Sequence, residues 1–403
     1  MARREHGRRR RRPGTWLTLT GAVLLLAGLA LHWAFPPARI LAPTGPYAVG
    51  TTVVEWVDPA RPEPATRDPD DSRFVVAQLW YPAEATPASA RAWYLGRDAH
   101  EAQVVAHGAA RSYGLPPVVL DRAAAAREPA GWAAPVASGA QRFPLVLFSP
   151  GLQGIRQQNT AWAIELASHG YVVAALDHPY DSAVVVRADG SVVTSTVRST
   201  GNDVEDQRRA DGWTAIRAAD LSFVLTRLAA GDPGSGGSAA VPLAGRLDLD
   251  HVAVTGHSLG GAAALQAATL DRRIRAAIDL DGLPRTVRPG DHHPPVLVLV
   301  AGRESGHADN DRRYADAVAA TLADSAPPSF RLTVAGAGHL SLTDAALYLP
   351  PLPSLFGTAG RTTPIRVTEQ ASLAFLDTTL RGADPAELPG RLADLGALTA
   401  SGR

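Results

Sequence analysis

A serine flanked by glycines, between a predicted strand and a predicted helix, is the feature that most constrains the fold of this chain. Residues 256–261 read Gly-His-Ser-Leu-Gly-Gly; they follow the strand-like run 249–255 and open into the small-residue run 262–269. Glycines on both sides let the backbone turn tightly enough to expose a serine hydroxyl at the top of a parallel sheet. The sequence therefore predicts an α/β fold with a mostly parallel central sheet and helices on both faces. Ser258 is the candidate nucleophile.

A serine nucleophile needs a histidine base and a carboxylate that orients the histidine, and in such a fold they follow the serine in the order acid, then histidine. The next predicted buried strand begins at Ile274 and ends at Asp281, with Asp279 inside its apolar run. We predict Asp281 as the acid and retain Asp279 as a structural competitor bonded to backbone. His339 follows the predicted strand 330–334 through a loop of small residues, and it is the predicted base.

Two backbone amides are predicted to hold the negative charge that develops on the substrate oxygen. Leu259, the residue after the nucleophile, supplies the first. Leu152 supplies the second, because the buried strand 144–149 runs into a glycine-bounded turn there. An ordinary strand-end turn is the alternative interpretation of this segment.

Other polar clusters are interpreted as structural or solvated. His169 closes a predicted helix, where a histidine suits the helix dipole, whereas His178 follows a strand and is a weaker pocket candidate. Two further groups resemble metal ligands, but their spacing matches no known metal cage. We therefore predict solvated loops there, and no metal or cofactor. These groups are His307, Asp309 and Asp311, and Asp291, His292 and His293.

Several motifs lie along the chain, at residues 45–50, 79–82, 150–152, 167–178, 256–261, 277–281 and 370–376. Together they resemble the plasma-type platelet-activating factor acetylhydrolases of the α/β-hydrolase superfamily. The resemblance covers most of the chain and places the family's triad on Ser258, Asp281 and His339, and its oxyanion amides on Leu152 and Leu259. It implies hydrolysis of short or oxidised sn-2 acyl esters of phospholipids without a metal.

One departure from this family leaves the substrate open. Pro150 stands where the family usually has histidine, so a polar group beside the oxyanion site is replaced. A broad carboxylesterase or a polyester hydrolase is therefore the alternative among enzymes. A surface-tethered, non-catalytic binding protein on a hydrolase scaffold is the alternative of another class.

The N-terminus has the pattern of a membrane anchor. Residues 1–14 contain seven arginines and one glutamate, whereas residues 15–35 contain no charged side chain. At about 1.5 Å rise per residue, such a stretch spans a hydrocarbon core of about 30 Å. The arginines predict a cytoplasmic head and an extracytoplasmic remainder. A cleaved signal peptide with its site near residues 28–30 is the alternative, which would give a secreted protein.

The remaining organisation follows from these assignments. We predict a basic head at 1–14, a transmembrane helix at 15–35, a linker at 36–44, one catalytic domain at 45–385 and a tail at 386–403. The chain has no cysteine, which excludes a disulfide framework and thiolate chemistry. Beyond the head, acidic residues outnumber basic ones, so no nucleic-acid partner is predicted. The expected partners are an ester or phospholipid substrate and the membrane, and the sequence gives no oligomeric state.

Two apolar segments near the site have two interpretations each. Residues 86–141 form either a lid or interfacial face, or an irregular cap. Residues 347–356 are apolar and broken by prolines. They either pack in the core under the loop that carries His339 or form a wall of the acyl pocket.

Overall fold

The computed structural model describes residues 37–235, 245–302 and 308–400, together with residues 25 and 243. In these residues the strands β1 to β13 are, in chain order, Ala48–Pro62, Ser72–Ala83, Arg91–Trp93, Arg127–Trp132, Phe143–Ser149, Val172–Asp177, Val184–Val186, Val192–Thr194, Leu247–His257, Ile274–Leu280, Val296–Ala301, Phe330–Val334 and Ala397–Ala400. The α-helices α1 to α10 are Ala99–Ser112, Asp121–Ala124, Thr160–Ser168, Asp203–Ala229, Leu259–Leu270, Ala308–Asp324, Ala345–Tyr348, Pro353–Phe356, Thr363–Arg381 and Leu388–Ala393.

Eleven of these strands form one sheet with the order β13-β12-β11-β10-β9-β5-β6-β2-β1-β4-β3. The six strands from β12 to β6 run parallel to one another, whereas β2 is antiparallel to β6 and to β1. Parallel strands carry functional loops at their carboxyl ends. The predicted α/β architecture with a large, mostly parallel sheet is confirmed.

Helices cover both faces of the sheet because neighbouring residues of each parallel strand point to opposite sides. In β5, Val146 and Phe148 pack into the core beneath α1, α3 and α9. Leu145 and Leu147 of the same strand pack into the core beneath α4, α5 and α6. All four side chains are buried, so a one-residue slip of β5 would exchange its two apolar faces.

The long helix α4 begins where the sequence supplies a cap. The Asn202 side chain accepts a hydrogen bond from the Glu205 backbone N–H at 3.0 Å. Asp203, Glu205 and Asp206 lie in the first turn, where negative charge is favoured. This helix crosses one face of the sheet and brings Arg217 under the candidate site.

Segments predicted as peripheral contribute to the folded unit. Residues 86–141 include β3 and β4, which form one edge of the sheet, as well as α1. In the predicted tail, β13 pairs antiparallel with β12 at the opposite edge. In the predicted linker, Ala38 and Ile40 are buried, and the Thr44 N–H donates to Glu165 at 2.9 Å.

The predicted transmembrane helix lies outside the described residues, except for residue 25. Among the described residues, no helix has both the length and the apolar character needed to cross a bilayer.

Candidate active site

Ser258 occupies a strained turn between β9 and α5. Its backbone angles, φ of 57° and ψ of −124°, lie in a region that residues other than glycine rarely adopt. The flanking glycines make this turn possible. A Cβ on Gly256 would lie 2.2 Å from the Gly260 carbonyl carbon, and a Cβ on Gly260 would lie 2.0 Å from the Ser149 oxygen. The turn therefore requires the small residues on both sides of the serine.

Asp281 and His339 are brought together from positions far apart in the chain. His339 Nδ1 lies 2.6 Å from Asp281 Oδ2. The other carboxylate oxygen, Oδ1, accepts the Ala301 N–H at 2.8 Å and the Tyr314 hydroxyl at 3.4 Å. A carboxylate held in this way accepts the Nδ1–H of a neutral histidine and leaves Nε2 free to accept a proton.

Asp279, the competing acid, has a different environment. It is completely buried, and its Oδ1 accepts the Gly282 N–H at 2.8 Å, whereas its Oδ2 has no hydrogen-bond partner among the described residues. Burial raises the pKa of Asp279 well above its ordinary value, and the nearby Asp281 raises it further. Burial therefore disfavours the ionised form of Asp279, and the carboxyl group bonds to backbone.

Three loops meet around Ser258. The His339 ring lies against the ring of His257, with 4.4 Å between centroids, and His257 directly precedes the serine. A Cβ on Gly151 would lie 3.5 Å from the Ser258 Cβ, so the loop after β5 also borders the serine. The structure thus gathers three loops at the carboxyl ends of the parallel strands: the turn at residues 256–261 that carries Ser258, called the elbow below, the His339 loop and the Leu152 loop.

The amides of Leu152 and Leu259 have no hydrogen-bond acceptor within the described parts of the chain. On either side of Leu152, the Gly151 N–H donates to Gln158 at 2.7 Å and the Gln153 N–H donates to Asp181 at 3.2 Å. Leu259 is the first residue of α5, where the N–H has no partner inside the helix. Both amides are therefore available to an oxyanion.

A buried arginine fixes the loop that carries Leu152. Arg217 of α4 donates to the backbone oxygen of Pro150 and, at 3.0 Å, to that of Gly151. It also pairs with Asp181 at 2.6 Å. The charge is completely buried, so these contacts are needed to compensate its desolvation. Sequence reasoning missed Arg217 because no local pattern in α4 points to a loop more than sixty residues earlier.

A second ion-pair network holds the far end of the same loop. The Arg156 backbone N–H donates to Asp177 at 2.7 Å, and its guanidinium pairs with Asp177 and, at 2.9 Å, with Glu101 of α1. All three side chains are buried. Residues 86–141 are therefore tied to the candidate site through Glu101.

The other histidines lie in different surroundings. His169 ends α3 and lies 3.2 Å from Glu165, in agreement with its structural interpretation. His178 is completely buried between Ser149, at 2.9 Å, and Asp220, at 2.8 Å. Burial lowers the pKa of His178 to about 4, so it is neutral at neutral pH.

The described residues contain no group of acidic and histidine side chains arranged to hold a metal ion. His307 lies outside the described residues. Asp291 pairs with Arg272 at 2.6 Å, and His292 Nε2 lies 2.8 Å from the Ile274 oxygen.

The comparison that decides the family spans most of the sequence. Residues 34–203 and 239–384 match the family model described as "Platelet-activating factor acetylhydrolase, isoform II". The chain belongs to this family. The family predicted from the sequence motifs is thereby confirmed.

Individual relatives support this membership of the acetylhydrolase family. The platelet-activating factor acetylhydrolase of Cavia porcellus is 30% identical over 280 residues, which cover 66% of this chain and 59% of the relative. That of Canis lupus familiaris is 27% identical over 304 residues, covering 65% of each. The chain thus spans less than two thirds of either relative.

A solved structure extends the similarity to the whole fold. The ferulic acid esterase from Streptomyces cinnamoneus is 29% identical, with a TM-score of 0.70, and the alignment covers 91% of this chain and all of that one.

Proposed function

We propose that the chain is a serine esterase that hydrolyses short or oxidised acyl esters, with the sn-2 esters of phospholipids as the expected substrate class. The contact between His339 and Asp281, beside an elbow serine, is the observation that carries this proposal. Membership in the platelet-activating factor acetylhydrolase family supports it.

In the first half of the reaction, the Ser258 hydroxyl attacks the ester carbonyl and His339 Nε2 accepts its proton. Asp281 holds Nδ1–H and stabilises the imidazolium that results. The N–H groups of Leu152 and Leu259 donate to the oxygen that becomes negative, and this stabilisation is greatest in the transition state. The tetrahedral intermediate then collapses, and the leaving alcohol takes the proton from His339.

In the second half, water attacks the acyl-serine and His339 accepts a proton from it. The same two amides hold the second oxyanion. Collapse returns the proton to Ser258 and releases the carboxylic acid. Every proton transfer is assigned to a side chain of this protein, and no step needs a metal.

The substrate prediction concerns acyl length. A closed acyl pocket cannot bury the methylenes of a longer chain, so the gain of about 0.8 kcal/mol per buried methylene is lost and a steric clash costs about 1–3 kcal/mol. We expect acetyl and butyryl phospholipids to be hydrolysed roughly a hundredfold faster than palmitoyl phospholipid, because about 1.4 kcal/mol corresponds to a tenfold change in rate. A chelator should leave these rates unchanged. Initial rates with purified protein, corrected for the Ser258→Ala background, measure this.

The same assay separates the alternative substrates. The similarity to a ferulic acid esterase favours a broad carboxylesterase as the second candidate function. Feruloyl esters and simple alcohol esters are therefore assayed alongside the phospholipids. Equal or higher kcat/KM on these esters would assign the chain to the broad class, which includes polyester hydrolases. Palmitoyl phospholipid as the best substrate, or loss of activity in chelator, would contradict the proposal.

We also infer that residues 15–35 anchor the protein in a membrane with the catalytic domain outside the cytoplasm. An uncharged stretch of this length behind an arginine-rich head supports the inference. The full-length protein is expected in the membrane fraction, with its catalytic domain open to protease on intact cells. A full-length protein soluble in the cytoplasm would refute the anchor, and a shortened protein outside the cell would support signal-peptide cleavage instead.

A further inference from the structure

The side chain of Gln158 connects the Leu152 loop to the elbow that carries Ser258. Its Oε1 accepts the Gly151 N–H at 2.7 Å, and its Nε2 lies 2.9 Å from His257 Nδ1. A primary amide accepts through oxygen and donates through nitrogen. Both contacts are satisfied together only when Nε2 faces His257, so Gln158 assigns the acceptor role to Nδ1 of that ring.

His257 passes this constraint on to the His339 loop. Because its Nδ1 accepts, its Nε2 carries the proton and donates to the backbone oxygen of His339 at 3.0 Å. Burial, and then the adjacent His339, lower the pKa of His257 to about 3, so the ring remains neutral at neutral pH. A neutral ring can accept through one nitrogen and donate through the other, as this chain of bonds requires.

Two further bonds connect the same segments. The Gln158 backbone oxygen accepts the Asp344 N–H at 3.0 Å. Asn159 Nδ2 donates to the Leu342 oxygen at 2.7 Å. The segment that follows His339 is therefore fastened to residues 158–159, and His257 supplies the contact to His339 itself.

We propose that Gln158 and His257 are positioning residues that set the location of the His339 backbone relative to the Leu152 amide. This inference rests on the proposed function, because it assigns the base to His339 and one oxyanion donor to Leu152. The catalytic base and the oxyanion donors must be aligned in the same transition state, and a displacement of about 1 Å can cost on the order of a hundredfold in rate. Gln158 also supplies a polar contact to the loop in which Pro150 replaces the family's histidine.

The first test replaces the bridging amide. Gln158→Leu keeps the approximate volume but removes both hydrogen bonds. We expect kcat on an acetyl ester to fall roughly 10- to 100-fold, with KM changed less than about threefold, because alignment in the transition state is lost while ground-state binding remains. Thermal unfolding, followed in parallel, establishes that the variant is folded at the assay temperature.

The second test uses His257. His257→Leu removes the donor to His339 and is expected to lower kcat to a similar extent. His257→Gln should recover part of this loss, because a glutamine Nε2 can reach the position of the ring Nε2 and donate there. The Gln158→Leu/His257→Leu double variant should lose much less than the product of the two single losses, since both substitutions break one chain of bonds.

Gln157 offers a matched control one residue away. Its side chain is completely buried, and neither amide atom has a hydrogen-bond partner among the described residues. Gln157→Leu is therefore expected to keep the kcat of the unchanged protein. An equal loss of kcat in folded Gln157→Leu would overturn the proposal, because packing alone would then explain the Gln158 result.

The proposed function and the positioning role can fail separately. If Ser258→Ala is inactive and folded Gln158→Leu keeps full kcat, the positioning role is wrong and the proposed function stands. If Ser258→Ala remains active, both are wrong. Multiplicative losses in the double variant would also contradict a single chain of bonds.

Discussion

Replacing Ser258 with alanine should lower ester hydrolysis by at least about a thousandfold while leaving the protein folded. The substitution removes the oxygen that attacks the ester, and loss of a triad nucleophile typically costs several orders of magnitude in kcat. Folding should survive because alanine keeps the Cβ, and the backbone bond from the residue 258 N–H to the Leu280 oxygen, 2.9 Å long, does not involve the hydroxyl. Rates on a short acyl ester and thermal unfolding midpoints measure the two effects.

A fluorophosphonate probe provides an independent readout of the same residue. It should label the unchanged protein at Ser258 and fail to label Ser258→Ala. Ser112 of α1 is a suitable control, because its buried hydroxyl has no hydrogen-bond partner among the described residues. Ser112→Ala should keep both labelling and activity. An unlabelled native protein with no esterase activity would instead support the non-catalytic binding protein.

The components of the site that could be predicted from sequence are those with local signals. Ser258 is predicted as the nucleophile by the glycines on either side of it and by the flanking strand and helix. Asp281 and His339 each follow a short apolar strand, and the carboxyl ends of parallel strands meet at one edge of the sheet. The positions of these residues after predicted parallel strands were therefore sufficient to predict that they lie close together.

The supporting residues could not be predicted because their partners are distant in sequence. Gln158 contacts His257 across 99 residues, and Arg217 contacts the Pro150 oxygen across 67. Neither residue lies in a sequence motif that indicates which residue it contacts. His257 lies inside the elbow motif, but only the folded chain reveals that its ring reaches the His339 backbone.

The edges of the sheet were missed for a different reason. The strands β3 and β13 have three and four residues, and most of their residues are not buried. Short edge strands lack the alternating or continuous apolar pattern that predicts buried ones. Pairing with β4 and β12, rather than local sequence, determines their conformation.

The two neighbouring acids should respond very differently to the same substitution. Asp281→Asn is expected to lower kcat by about ten-thousandfold, as is typical when a triad carboxylate becomes an amide. An asparagine retains only one acceptor oxygen for the Ala301 N–H and the His339 Nδ1–H. Its NH2 group at the second position would favour the histidine tautomer with Nδ1 unprotonated, which leaves Nε2 unable to accept the serine proton.

Asp279→Asn should lower kcat less than about tenfold, because Asp279 does not contact His339, and because burial raises the pKa of this acid and so disfavours the charged form that the neutral amide lacks. The asparagine oxygen can still accept the Gly282 N–H that now bonds to Oδ1. The two variants therefore serve as controls for each other, because both carry the same Asp→Asn substitution and only Asp281 contacts His339. Kinetics on the same ester, with unfolding midpoints for both proteins, make the comparison. If both fold and Asp279→Asn is the more damaging, the acid of the triad is Asp279 and the assignment to Asp281 is wrong.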